Sequence, residues 1–236
     1  MRTQARHHLK QDQFTATANE AMSWTVEHRE KLIWGTGILA VVLAMVLGGW
    51  WYMQSQEQSA AVTLGHAIGV YTTPLTPGAQ PPAGTTTSFA TVQQRAKAAK
   101  DEFQKVADKY GRTKSGHIAK YFVGLTDIDL NNNSDAERAL KEVAGSGKDD
   151  IAALAKMALA SVYRSTGRDK EAISLYKELA DKPSNAVSKP AAQLQMAETY
   201  EATDPQNARI VYQQIQKESP QSAAAELAAQ KLASLK

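Results

Sequence analysis

The chain has no cysteine among its 236 residues. That removes disulfides, thiolate metal sites, cysteine nucleophiles and a lipidated N-terminal cysteine together, so any folded domain must be held by packing and hydrogen bonds. It also lacks a Gly-rich phosphate loop, an H-E-x-x-H and a G-x-S-x-G, which argues against an enzyme or a cofactor carrier. The net charge is only +3 and the basic residues are dispersed, so no nucleic-acid footprint stands out. Residues 32–53, LIWGTGILAVVLAMVLGGWWYM, carry no charge at all.

That uncharged stretch is the strongest single signal. As a helix it rises about 33 Å, enough to cross a hydrocarbon layer of about 30 Å. Trp34 sits near one end and Trp50, Trp51 and Tyr52 at the other, where amphipathic rings settle at headgroup level. A cleavable signal is the competing reading. It would have a shorter apolar run and a small-residue cleavage site, which the exit QSQEQSAAV does not supply, so a retained anchor is expected. Arg2, Arg6, Lys10, Arg29 and Lys31 precede the run, and the next Lys or Arg is Arg95. The asymmetry places the N-terminus in the cytoplasm and the rest of the chain on the far side.

Around the span the composition changes. Residues 1–31 read as a cytoplasmic tail, with a weak stripe of Phe14, Ala18, Ala21 and Thr25 that fits a solvated segment better than a membrane-surface helix. The adjacent His7 and His8 point in different directions on a helix and make a poor metal pair. Residues 54–71 read as an outward helix with Leu64, Ala67, Ile68 and Tyr71 recurring. Residues 72–88, TTPLTPGAQPPAGTTTS, hold four of the eight prolines and no charge, the composition of a flexible insertion.

Residues 89–236 show helical periodicity and internal repetition. Gly124 and Ala160, Ala136 and Ala172, Leu140 and Tyr176, and Val143 and Leu179 are each thirty-six apart. The series continues through Tyr163 and Tyr200 and through Tyr176 and Tyr212, while Pro183 and Pro220 stop successive second helices. Ala99, Phe103 and Val106 take the same places one repeat earlier. Small residues let paired helices approach closely, and the ring or branched side chain fills the gap to the next pair. The pattern resembles the tetratricopeptide repeat without the Trp and Leu-Gly of its best matches. The expected fold is all-α: a single N-terminal transmembrane helix followed by a divergent tetratricopeptide-like helical-hairpin repeat solenoid.

Such a solenoid offers a concave face lined by first helices. Groove candidates are Tyr121, Leu125 and Asp129, then Met157, Ser161 and Arg164, then Leu194, Glu198 and Glu201. The opposing reading has the C-terminal segment AAELAAQKLASL cover them. In the span, Thr36, Ala40, Ala44 and Gly48 form a small-residue stripe suited to helix contact in lipid, in a homodimer or a larger complex. His66 and His117 read as ordinary surface or packing residues, and Asp127 with Asp129, or Asp149 with Asp150, as caps or solvated charges.

Tail, single span, outward helix and divergent repeats together resemble the ancillary subunit of the bacterial Sec translocon, whose repeat domain is related to that of a cell-division coordinator. The resemblance implies an inner-membrane protein with a periplasmic repeat domain, and translocon subunits, periplasmic chaperones or secreted clients as partners; the lack of motifs leads to the expectation of no cofactor and no metal. An adaptor for envelope organisation, cell division or outer-membrane assembly is the alternative. The 72–88 insertion departs from the family pattern.

Overall fold

Hydroxyl and carboxylate side chains set where the helices begin. Thr91, Thr113, Ser188, Asp204 and Ser222 each precede a helix and accept a hydrogen bond from a backbone N–H of its first turn. Pro190 and Pro205 stand in the first turns that follow Ser188 and Asp204, where no N–H is needed. The computed structural model describes residues 29–76, 88–147 and 150–235. The Phe14, Ala18, Ala21 and Thr25 stripe, the His7 and His8 pair, Asp149 and most of the proline-rich insertion lie outside the described residues.

Nine helices are described: α1 (Arg29–Tyr71), α2 (Val92–Lys109), α3 (Lys114–Asp129), α4 (Asn133–Ala144), α5 (Asp150–Ser165), α6 (Asp169–Asp181), α7 (Lys189–Thr203), α8 (Pro205–Glu218) and α9 (Ala223–Ser234). The fold is all-α; among the described residues the extended pairing is a single bridge between Leu75 and Phe89. The chain divides into two compact units, Met1–Ser55 and Gln56–Lys236. The residues of α1 up to Ser55 belong to the first and those from Gln56 to the second.

In the first unit the helix is apolar on every side, with a mean hydropathy of 2.2 over its most apolar window and none of that window buried. Ile33, Trp34, Ile38, Leu43, Val46, Trp50 and Trp51 are all exposed. This helix is long and apolar enough to cross a membrane.

In the second unit, residues 56–71 and α2 form the first hairpin, and α3 with α4, α5 with α6 and α7 with α8 form three more. Consecutive helices pack on each other in chain order from α2 to α9. The cores repeat along the second helices. Ala99, Ala136, Ala172 and Ala208 are fully buried, and so are Phe103, Leu140, Tyr176 and Tyr212 one turn on. Val106, Val143, Leu179 and Ile215 complete the stripe at 3% exposure or less. The first helices carry a matching column of Ala119, Ala155, Ala192 and Ala228, all at 0%. Ala228 lies on α9, so the last helix occupies the first-helix place of a further repeat.

Two other features recur with the period. Asn131 and Gly167 turn the chain from first to second helix with φ of 60° and 75°, a left-handed conformation that Asn and Gly adopt readily. Lys120 pairs with Glu142 and Lys156 with Glu178, each joining a first helix to its own second helix.

Candidate protein-binding groove

Tyr121 of α3, Met157 of α5 and Leu194 of α7 occupy one column of the repeat, and the structure brings them together. They line a cavity of about 410 Å³ with Leu154, Ala158, Ser161, Ala191 and Gln195. Its floor includes Tyr176 of α6. The ring of Tyr121 meets Phe122 edge-on at 5.4 Å, and Tyr121, Leu154, Met157 and Ala158 are half-buried against the central core. The wall is therefore mostly apolar and set on helices.

The floor is unusual. Tyr176 is fully buried, yet its hydroxyl has no hydrogen-bond partner. Burial pushes this phenol above its ordinary pKa. One repeat later the Tyr212 hydroxyl donates to Glu201 Oε1 at 2.6 Å; burial, followed by that bond, holds it well above the usual phenol range. In the Tyr176 repeat, Arg164 stands near the place of Glu201, and its Nη1 lies 3.5 Å from Glu198 Oε2. Glu198 also accepts from Gln195 Nε2 at 3.1 Å.

Of the nine groove residues expected from sequence, Tyr121, Met157, Ser161 and Leu194 line the cavity, whereas Leu125, Asp129, Arg164, Glu198 and Glu201 do not. Two of the latter accept from tyrosine hydroxyls. Asp129 Oδ2 accepts from the Tyr71 hydroxyl at 3.0 Å; burial first, and then this carboxylate, push the Tyr71 phenol up to about 12. Glu201 holds Tyr212 and lies 3.2 Å from Lys231 of α9. Leu154, Ala158, Ala191 and Gln195 were missed, although Leu154 with Ala191 and Ala158 with Gln195 keep the same repeat spacing. A second column read at that spacing would have found them.

The helix α9 shares a cluster with Leu194 through Ala224, Ala225 and Ala228 but contributes no residue to the cavity wall. It extends the stack and leaves the groove uncovered on that side. Asp127 differs from its expected role as a cap or solvated charge. It is 1% exposed and its Oδ1 meets Lys100 Nζ at 2.5 Å. The facing α2 helix supplies this partner, which turns an acid near a helix end into half of an interior ion pair. Asp150 accepts from the Asn185 N–H at 3.1 Å.

Outside the groove, Thr36, Ala40, Ala44 and Gly48 are exposed on α1, and the Thr36 hydroxyl donates to the Ile33 carbonyl at 3.0 Å. His66 is exposed, with Nδ1 3.8 Å from Glu102. Among the described residues no group of three or more His, Asp or Glu side chains could hold a metal ion.

No curated protein matches the chain. Two solved structures of repeats described as nearly identical and TPR-like, from a Podosopora anserina protein assigned as a kinesin light chain, are similar in fold, one of them carrying a single substitution. Each aligns at a TM-score of 0.51 and 14% identity over 78% of this chain, and covers 84% or 85% of the other. A model of the tetratricopeptide repeat matches residues 191–222, and the tetratricopeptide repeat-like domain matches residues 23–189, well over half of the sequence. This chain therefore belongs to the tetratricopeptide repeat-like domain family.

Proposed function

We propose that the protein is a non-enzymatic scaffold anchored in the bacterial inner membrane by residues 32–53, with a cytoplasmic N-terminus and a periplasmic repeat domain. The groove formed by Tyr121, Met157 and Leu194 over Tyr176 is the observation that carries the reading. It provides rigid apolar walls with Ser161 and Gln195 at hand for backbone groups, which suits weak, sequence-tolerant binding of extended polypeptide. Five Lys or Arg residues before the span, and none after it until Arg95, support the orientation. The layout of tail, span, outward helix and repeats supports translocon subunits, periplasmic chaperones and emerging secreted chains as the partners. The Thr36, Ala40, Ala44 and Gly48 stripe would serve contact with another membrane helix, from a second copy or from the translocon.

A photo-reactive residue introduced at Ser161, exposed on the groove wall, tests the assignment in living cells. Cross-links to translocon subunits or to secreted chains in transit are expected. Capture of neither, with the variant folded and membrane-bound, would overturn it. Exclusive capture of division or outer-membrane assembly proteins, with a septal band from a fluorescent fusion, would move the protein to the adaptor class.

A further inference from the structure

The turns before α6 and before α8 hold matched places in successive repeats, but their chemistry differs. At the first, Arg168 precedes α6 and lays its guanidinium over the Tyr163 ring, with Cζ 4.0 Å from the centroid. Glu137 Oε2 accepts from its Nη1 at 2.7 Å, and Glu171 takes Nε and Nη2 at 2.6 Å each. The cation is thus stacked on a ring and forked between two carboxylates, an arrangement that planar guanidinium makes better than ammonium does.

One repeat later the ring is kept and the cation is gone. Tyr163 corresponds to Tyr200, and Glu137 to Ile173. The residue that precedes α8, in the place of Arg168, is Asp204. Among the described residues no cation lies over the Tyr200 ring. A cavity of about 550 Å³ stands at this point, and Tyr200, Ile173 and Asp204, the counterparts of three members of the Arg168 cluster, all line it. Arg168 and Glu171 also border it but are committed to each other, and Arg168 to Glu137 as well. Of the remaining charges on the wall, Asp169 and Asp204 outweigh Lys170.

We propose that this cavity is a second protein-binding site, separate from the groove, and that it receives an arginine side chain of a partner polypeptide. The incoming guanidinium takes the place over Tyr200 that Arg168 takes over Tyr163. Asp204, which uses its carboxylate to accept from Asn207 N and Nδ2, has lone pairs left for the cation, and Ile173 lies along the aliphatic stem. The cavity shares no lining residue with the groove, so a partner can be gripped at two points, and occupancy here does not depend on the identity of groove clients.

The test uses the full-length protein in detergent micelles with 13C-labelled isoleucine δ1 methyls, the Ile173 signal being assigned by Ile173→Val. Three capped peptides, Gly-Ser-X-Ser-Gly with X as Arg, Gln or Glu, are titrated. A saturable shift of the Ile173 methyl with the Arg peptide alone is expected. Tyr200→Leu and Asp204→Asn should each weaken it by about fivefold or more. Asp204→Arg restores the cation found one repeat earlier and should fill the cavity from within, abolishing the response while the circular dichroism spectrum is unchanged. Absence of a saturable shift with the Arg peptide overturns the proposal. So does an equal response to the Gln peptide, a stronger one to the Glu peptide, or full binding by folded Tyr200→Leu.

Discussion

Gly124 faces Leu140 so closely that a Cβ at Gly124 would lie 2.6 Å from Leu140 Cγ. Leu140 is fully buried and cannot yield cheaply. Alanine at Gly124 would gain about 1 kcal/mol of helix propensity and lose about 1–3 kcal/mol to overpacking. The expected outcome is a net destabilisation of about 1 kcal/mol in denaturant unfolding. Combined with Leu140→Ala, which removes the clash, Gly124→Ala should be neutral or stabilising, so the two changes are strongly non-additive.

The turn residues give a second contrast. Gly167 has φ of 75° and Asn131 has φ of 60° in the corresponding turn. Gly167→Ala should cost about 1 kcal/mol, whereas Asn131→Gly should change stability by less than about 0.5 kcal/mol. Thermal unfolding of the two variants checks the order; an equal effect would contradict the assignment of these turns.

Glu57 closes the N-terminus of α3. Its carboxylate accepts from Lys114 N at 2.8 Å, from Ser115 N at 3.2 Å and from the Ser115 hydroxyl at 2.6 Å. Burial raises this carboxyl, but the bonds from Ser115 and Lys114 outweigh burial and hold it below the usual 4.5. A depressed native pKa means the unfolded chain takes up the proton first. The stability that Glu57 contributes is therefore complete above pH 4.5 and is lost as pH falls through the lower native value. Glu57→Gln should cost about 1 kcal/mol at neutral pH. The difference from wild type should shrink in unfolding curves measured below pH 4.5.

The pair of Lys100 and Asp127 is asymmetric, with side-chain exposures of 27% and 2%. Lys100→Ala strands a buried carboxylate, with Asn132 Nδ2 at 3.5 Å as a weak remaining donor, and should cost about 3 kcal/mol. Asp127→Asn leaves an ammonium that can still reach water and should cost about 1 kcal/mol. Urea midpoints of the two variants measure the ranking, which would be reversed if the pair were a surface contact.

The repeat was legible because buried columns such as Ala136, Ala172 and Ala208 keep the same residue type at a fixed spacing, and packing in a solenoid allows little else. The wall at Tyr121, Met157 and Leu194 followed from the same columns. What escaped the sequence depends on which helix lies opposite. Lys100 is twenty-seven residues from Asp127, and no periodicity announces such a pair. Tyr212 and Tyr176 are equivalent by position, yet only the first finds an acceptor, because the place of Glu201 is taken one repeat earlier by Arg164, whose side chain only donates. Of the polar groove candidates, Asp129 and Glu201 are spent on Tyr71 and Tyr212, partners that no spacing in the sequence announces.

The scaffold reading turns on the apolar half of α1 being a lasting anchor that delivers the repeats to the far side. The most direct measurement is protease digestion of intact spheroplasts, followed with an antibody to the C-terminal repeats. The account predicts that the repeats are digested without lysis while a short N-terminal fragment stays protected and membrane-bound. Repeats that resist protease until the membrane is broken would contradict it.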